Sequence, residues 1–175
     1  MRKTMGAVPR LNRANRELLP GAALLAILLL TEAAMGWGTL SITVTGNWTV
    51  NITQANLAGG AGSDLTDTYT SATDQVSITL TTQKKNDPWT VSVNMTTASW
   101  HPTLTLWARR TANGTGAGTI SGGTTYIQLT STDQTFFTGT MDRTNVRVEY
   151  QLRNVSLTVP QGTYTTTVTY TITTP

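Results

Sequence analysis

The sequence contains no cysteine and a single histidine, which excludes several kinds of site at once. Without cysteine there can be no disulfide, no thiolate metal ligand, no cysteine nucleophile and no cysteine that carries a lipid. With only His101, a zinc site built from several histidines is excluded as well. We interpret His101, in a turn before Pro102, as a solvated loop residue, and we expect packing alone to stabilise the fold.

Charged residues are also scarce, at 12% of the chain, and the positive surplus lies near the N-terminus. Five of the 12 Lys+Arg and two of the 9 Asp+Glu fall within residues 1–36, which leaves seven of each in residues 37–175. The sequence pI of about 9.5 is therefore a property of the N-terminal segment. Because the remaining basic residues are scattered, we expect no nucleic-acid partner and no binding to an anionic membrane surface.

Residues 1–36 have the pattern of a secretory signal peptide. A basic start precedes an almost entirely apolar run over residues 18–30, and residues 34–36 place small side chains where signal peptidase reads them. The alternative is an uncleaved membrane anchor, but this run is shorter than the roughly 20 residues that a bilayer requires. We predict cleavage near Gly36, a single domain over residues 37–175, and a secreted or cell-surface protein with no stable membrane span.

Long helical patterns are missing too, and an alternation of apolar and polar residues takes their place. Val76, Ile78 and Leu80 follow this period of two, as do Trp89 and Val91. The alternation is typical of strands with one buried face. Many short strands separated by turn signals predict an all-β fold, a single immunoglobulin-like antiparallel β-sandwich, with a closed barrel as the alternative.

Two early runs, residues 40–44 and 48–52, both carry apolar side chains at even positions and are interpreted as a hairpin. Paired residues share a face of the sheet, so a three-residue loop would pair Val44 with Trp48. Two glycine-rich stretches, residues 54–73 and 112–123, predict surface loops, and we expect the second to be mobile.

The last strand of this threonine-rich chain alternates apolar residues with threonine over residues 164–173. Threonine favours an extended backbone because it is β-branched, and its hydroxyl keeps an outer face wet without charge. This strand contains neither Lys nor Pro, the residues that commonly protect a sheet edge. If it lay at an edge, it would be a template for pairing with another chain.

Residues 160–164, Pro-Gln-Gly-Thr-Tyr, resemble the tyrosine corner of immunoglobulin-like sandwiches, in which a tyrosine hydroxyl binds backbone upstream. The resemblance gives Tyr164 this structural role, and Thr166 stands where those domains have a cysteine. The Thr-rich final strand also resembles bacterial surface proteins of the spore coat protein U and pilin-like kind.

The same C-terminal strand is similar to WxL cell-wall-binding domains, which have a tryptophan, any residue and a leucine where this chain has Tyr170-Thr171-Ile172. The earlier Trp89-Thr90-Val91 is similar to another motif of that family. These resemblances imply an extracellular structural or wall-associated protein without catalysis.

All five tryptophans lie within residues 37–175, and they are the main indication of a binding function. Trp48 and Trp89 share the apolar parity of their strands, which predicts that both are in the core. Trp100, in a turn, and Trp107, on the opposite parity, are expected to be exposed. Because exposed aromatic rings stack on sugars, Trp100 and Trp107 are the candidate ligand-binding residues.

No residues suggest a metal site or a catalytic centre. Asp64 and Asp67 lie in a Gly-rich turn, but a calcium ion needs several more oxygens than two carboxylates supply, and turn aspartates usually bind their own backbone. The acidic residues are dispersed, and nucleophile and base do not combine in any recognisable pattern. We predict no metal, no cofactor, no catalytic residue and no enzymatic activity.

The sequence therefore predicts a secreted or cell-surface, non-catalytic structural protein. Its expected partners are copies of itself or other surface proteins. The alternative is a carbohydrate- or cell-wall-binding module that uses Trp100 and Trp107 to bind glycans.

Overall fold

The computed structural model describes residues 40–82 and 86–175, and residues 22–27 as backbone. These ranges contain twelve strands and a short 3₁₀ turn, Gln54–Asn56. The strands are β1 (Ala22–Ile27), β2 (Ser41–Thr45), β3 (Trp48–Asn51), β4 (Tyr69–Thr70), β5 (Val76–Thr81), β6 (Pro88–Met95), β7 (Thr105–Ala112), β8 (Ile120–Ser121), β9 (Ile127–Gln128), β10 (Gln134–Thr140), β11 (Arg143–Arg153) and β12 (Thr165–Thr173).

The strands form two sheets that pack against each other. The first sheet has the order β3-β1-β12-β6-β10-β8, and the second has the order β2-β5-β11-β7-β9, with β4 also pairing β11. Every described pair of strands is antiparallel except β1 and β12, which run parallel. The predicted all-β antiparallel sandwich is confirmed by these two packed sheets, and the described residues contain no α-helix.

The period of two in the sequence places the core correctly. Val91 of β6, Val148 of β11 and Val168 of β12 have no exposed surface, and Trp89 is 1% exposed, as its parity predicts. Their neighbours two residues away along each strand are buried in the same way. Burying one such side chain contributes about 1.5–3 kcal/mol, so the two inner faces supply the main stabilisation.

Two tyrosines join the sheets at the centre of this core. Tyr150 of β11 and Tyr170 of β12 have no exposed surface, and their hydroxyl oxygens lie 2.7 Å apart in a hydrogen bond. Trp48 stacks on Tyr150, with ring centroids 6.4 Å apart. Because one hydroxyl donates to the other, each has a hydrogen-bond partner, and this polar contact between the sheets costs little to bury.

An irregularity in β10 adds two aromatic rings to the core. The register between β10 and β6 shifts between Thr135 and Phe137, as in a β-bulge. The bulge breaks the alternation, so that Phe136 and Phe137 are both buried although they are adjacent. Phe137 packs edge to face against Trp89, with ring centroids 6.0 Å apart.

The predicted hairpin of residues 40–52 is wrong. β2 pairs with β5 in the second sheet, whereas β3 pairs with β1 in the first, so the chain crosses from one sheet to the other between them. The crossing uses Gly46, whose φ of +122° is unfavourable for other residues. A side chain there would collide with the backbone carbonyl of Gln75.

We expected residues 112–123 to form a mobile loop without ordering contacts from side chains, but the structure shows such contacts. The buried Arg110 donates from Nε and Nη2 to the carbonyl of Gly122, at 2.9 Å and 2.7 Å, and the buried Arg143 donates to the carbonyl of Gly118. The segment also contains β8, which pairs with β10. Hydrogen bonds from Arg110 and Arg143 to backbone carbonyls thus stabilise this segment, whose many glycines have no side chains to pack.

Part of the predicted signal peptide forms strand β1. The other residues of that peptide, 1–21 and 28–36, lie outside the described residues. Whether the peptide is cleaved near Gly36, and therefore whether the domain begins at residue 37, stays a prediction.

Candidate functional site

Trp100 is less exposed than the sequence suggested. Its side chain is partly buried and packs against the main core and against a second hydrophobic cluster formed by Leu104, Leu152 and Val155. The indole Nε1 donates to the carbonyl of Leu104 at 2.8 Å. Because the ring packs between two clusters, part of its surface is not available to a ligand.

Trp107 lies on the outer face of β7, as its parity predicts, but it is half-buried rather than fully exposed. The guanidinium carbon of Arg153 lies 4.1 Å from the centre of its ring, in a cation–π contact. Its Nε1 donates to the hydroxyl of Thr105 at 3.0 Å. Trp107 is therefore held in one orientation by neighbours on β7 and β11.

A charged and aromatic group surrounds Trp107. Glu149, on the outer face of β11, is only 2% exposed, and its carboxylate lies 3.0 Å from Nε of Arg109. The hydroxyl of Tyr126 donates to the same carboxylate, and the Tyr126 ring lies under the guanidinium groups of Arg109 and Arg153. We call these residues, Trp107, Arg109, Tyr126, Glu149 and Arg153, the Trp107 cluster.

The electrostatics of the Trp107 cluster keep Tyr126 protonated. Burial, followed by the hydrogen bond to Glu149, raises the pKa of Tyr126 to about 12. The phenol therefore stays neutral even in mild alkali, its single O–H donates to Glu149, and Arg109 balances the charge of Glu149. The arrangement places two aromatic rings beside the N–H groups of two guanidinium groups, a combination that also occurs in sugar-binding sites.

A second candidate surface is an apolar groove at one end of the sandwich. Its volume is about 400 Å³, and it lies between the end of β3 and residues 155–164, which lead into β12. The lining includes Val50, Ile52, Leu65, Val155 and Tyr164, and none of its described lining residues is charged. Leu157, also in the lining, is 62% exposed.

One wall of the groove is held in place by Asp64. Its carboxylate accepts hydrogen bonds from the backbone N–H of Leu157 at 2.7 Å and from the hydroxyl of Ser156 at 2.8 Å. It also accepts from the N–H of Leu65 at 2.7 Å. These bonds, with that to Leu157 the largest, lower the pKa of Asp64 below its ordinary value. Asp64 thus links two loops that line the groove.

Tyr164 closes the other side of the groove. Its hydroxyl donates to the carbonyl of Pro160 at 2.6 Å, which is the geometry of a tyrosine corner. His101 packs edge to face on Tyr164, with ring centroids 5.5 Å apart, and its Nδ1 lies 2.8 Å from the hydroxyl of Thr103. The stabilising role assigned to Tyr164 stays a prediction.

Neither surface is arranged around a metal. Within residues 40–82 and 86–175, histidine, aspartate and glutamate side chains do not gather in threes at distances suited to an ion. Asp64 uses its oxygens on the neighbouring loop, and Asp67 accepts from the hydroxyl of Thr68 at 2.8 Å. In the part of the chain that the structure describes, no helix has the length and apolar character needed to cross a membrane.

Sequence reasoning identified Trp107 but missed the residues around it. Glu149 and Arg153 lie on β11 and Arg109 on β7, and only the pairing of these strands brings them together. The sequence contains one indication of this grouping. Apart from Trp107, the apolar residues of both strands are at even positions and these three residues are at odd positions, so all three are expected on the outer face. The apolar groove was also missed, because its lining comes from four stretches that are far apart in the sequence, residues 50–57, 65, 104 and 152–164.

No protein-family model matches this chain, and a search of curated proteins finds no match either.

Proposed function

We propose that this protein is a secreted or cell-surface, non-catalytic structural β-sandwich that assembles with copies of itself or with other surface proteins. The observation that carries the proposal is the apolar groove, with Leu157 62% exposed in its lining and without charge among its described lining residues. Exposed apolar surface of this kind is typical of contacts between proteins.

The outer faces of the strands support the same proposal. Threonine covers the outer face of β12, which has no charged residue, so the first sheet presents a wet but uncharged surface. Such a surface can lie close to a neighbouring protein without the cost of burying charge.

The size of the secreted protein tests this proposal. We expect protein exported from the complete reading frame to form oligomers at rising concentration, measured by size-exclusion chromatography with light scattering and by negative-stain microscopy. Leu157→Asp should raise the concentration needed for assembly by at least about tenfold, because it places a charge in an apolar contact. Thr158→Asp, which adds the same charge outside the groove lining, is the matched control. A protein that stays monomeric at all concentrations contradicts the proposal.

The Trp107 cluster favours a second candidate function, a carbohydrate- or cell-wall-binding module. An indole ring, a protonated phenol and two guanidinium groups lie together on the outer face of the second sheet. Sugar-binding sites combine stacking on aromatic rings with a few fixed polar groups. Of the two tryptophans named from the sequence, Trp107 fits this function better than the packed Trp100.

Binding to immobilised glycans and to peptidoglycan tests the second function. We expect Trp107→Ala to weaken retention about five- to tenfold, since loss of one stacked ring removes about 1–1.4 kcal/mol. Trp100→Ala serves as the comparison, and its retention should follow that of the wild type if the variant remains folded. Unchanged retention of Trp107→Ala would remove this candidate.

A further inference from the structure

Strand β1 occupies a slot between β3 and β12 in the first sheet. Ala22 to Leu25 pair antiparallel with Asn51 to Trp48, and Leu24 to Ile27 pair parallel with Thr165 to Val168. Among the described strands, β1 is the single neighbour of β3 in its sheet. One six-residue segment therefore satisfies the backbone groups on the facing edges of two strands, and we call its position the strand slot.

The chemistry around the strand slot is uniform. β3 has the sequence WTVN and β12 the sequence TTTVTYTIT, so neither flanking strand carries a charge. The segment in the slot, AALLAI, is uncharged as well. A charged residue at this position would lose hydration without gaining a partner, so the slot selects an extended, uncharged segment.

The apolar groove continues the strand slot at the start of β1. Ala22 pairs with Asn51, which lies between the groove residues Val50 and Ile52. On the other side, Leu24 pairs with Thr165, next to the groove residue Tyr164. A segment in the slot can thus extend at its N-terminal end into an apolar depression.

The sequence predicts that cleavage of the signal peptide removes residues 1–36. This cleavage would remove β1 from the first sheet. β3 then loses its neighbour in the described sheet, and residues 165–168 keep only the contacts on the β6 side. Unpaired backbone N–H and C=O groups at a sheet edge strongly favour pairing with another strand. Neither lysine nor proline protects β3 or β12 against this pairing.

We propose that in the processed protein the strand slot is an acceptor site for an extended, uncharged, apolar segment of a neighbouring protein chain, bound parallel to β12. This inference rests on the proposed assembly function and names the contact through which assembly occurs. β1 shows the length, direction and chemistry of the segment that fits. Main-chain hydrogen bonds to β3 and β12 supply the affinity, and the absence of charge supplies the selectivity.

A synthetic peptide tests the site on protein exported from the complete reading frame and shown by circular dichroism to be folded. The peptide has the sequence of residues 20–29, with a fluorophore and two solubilising lysines beyond a flexible spacer. We expect saturable binding at one peptide per protein by fluorescence anisotropy. A control peptide with Leu24→Asp and Ala26→Asp should bind at least about tenfold more weakly, because each carboxylate would be desolvated.

Disulfide trapping tests the register, and the cysteine-free chain makes it unambiguous. A peptide with Leu24→Cys should form a disulfide with Thr165→Cys protein, because Leu24 and Thr165 are paired, and neighbouring strands lie at a Cα separation that a disulfide can span. Thr158→Cys protein, with its thiol outside the slot, should not be trapped.

The outcomes separate this inference from the proposed function. Oligomers that dissociate when the peptide is added support both. Oligomers that, once diluted to monomers, neither bind the peptide nor are prevented by it from reassembling overturn the acceptor site and leave the assembly function standing. A monomer that binds the peptide supports the site and contradicts assembly. The inference is also overturned if mass spectrometry of the exported protein finds residues 22–27 retained, or if the charged peptide binds equally well.

Discussion

At the scale of single residues, the hydrogen bond between Tyr150 and Tyr170 joins the two sheets inside the core. Each hydroxyl is buried, so each depends on the other for its polar contact. Burial raises the pKa of both phenols above the ordinary value, and both are therefore neutral in the folded protein.

Phenylalanine substitutions test this pair. Tyr150→Phe or Tyr170→Phe should each lower the free energy of unfolding by about 1–3 kcal/mol, because each leaves a buried hydroxyl without its partner. The double variant should cost less than the sum of the two, since no orphan hydroxyl remains. Urea denaturation of the four proteins measures the difference, and additive effects would show that the contact does not couple the sheets.

Asp64 allows a second prediction at this scale. Its pKa is lowered by hydrogen bonds from Leu157, Ser156 and Leu65, so the link between the two loops is present above the ordinary pKa of about 4 and is lost as pH falls through the lower folded-state value. We expect the Leu157 amide to exchange faster with deuterium as the solution is acidified, after correction for intrinsic rates. Asp64→Asn should show the faster exchange at neutral pH, whereas Asp67→Asn should not. Equal protection in Asp64→Asn and wild type would contradict this role.

At the scale of strands, the alternation in the sequence was sufficient to predict most strands and their buried faces. It was not sufficient to predict the partners. Residues 40–44 and 48–52 have matched parity, which we read as pairing across a hairpin. Two strands that lie in different sheets and both point inward have the same parity, so the pattern cannot distinguish the two arrangements.

Gly46, at the crossing between sheets, gives a test of this arrangement. Gly46→Ala should lower the free energy of unfolding by more than about 1 kcal/mol, because a Cβ at positive φ is strained and would meet the backbone of Gln75. Gly59→Ala is the matched control, since its added Cβ would meet only Ser63 at ordinary contact distance, 3.4 Å. Similar thermal stability of the two variants would contradict the sheet crossing.

The loop of residues 112–123 depends on arginines that come from strands. Burial, and then the nearby Arg143 guanidinium, lower the pKa of Arg110 below its ordinary value. Keeping Arg110 charged in the folded protein therefore costs free energy. Arg110→Met should therefore open the loop locally while changing the global stability little. Hydrogen exchange and limited proteolysis within the loop should both increase. Arg147→Met, on the outer face of β11, is the control, and unchanged loop protection in Arg110→Met would contradict the tether.

At the scale of the whole molecule, the buried phenols predict how the fold responds to alkali. In the unfolded chain Tyr150 and Tyr170 ionise near pH 10, whereas in the folded protein their pKa values are raised. Their contribution to stability is thus complete below about pH 10 and falls as pH rises toward the folded-state values.

We expect tyrosinate absorbance at 295 nm from these two residues to appear together with the loss of the β-sheet circular dichroism signal. The double variant Tyr150→Phe/Tyr170→Phe should unfold less steeply with pH above about pH 10, since neither group remains to ionise. An identical alkaline transition in the double variant would show that other groups cause it.

The candidate surfaces show how far the sequence alone could lead. The alternation along β7 correctly predicted that Trp107 lies on the outer face, because successive side chains of a strand point to opposite sides of the sheet. Its contacts with Arg153 and Tyr126 depend on pairing between β7, β9 and β11, which no local pattern encodes. Trp100 was misjudged because turn residues have no parity, and only the packing of two clusters places its ring.

The contact between Tyr150 and Tyr170 has a consequence for where the protein can fold. A hydroxyl–hydroxyl link needs no oxidant to form and is indifferent to glutathione or thioredoxin. The two sheets should consequently stay joined in reducing and oxidising surroundings alike, and the midpoint of thermal unfolding should be the same with and without a strong reductant.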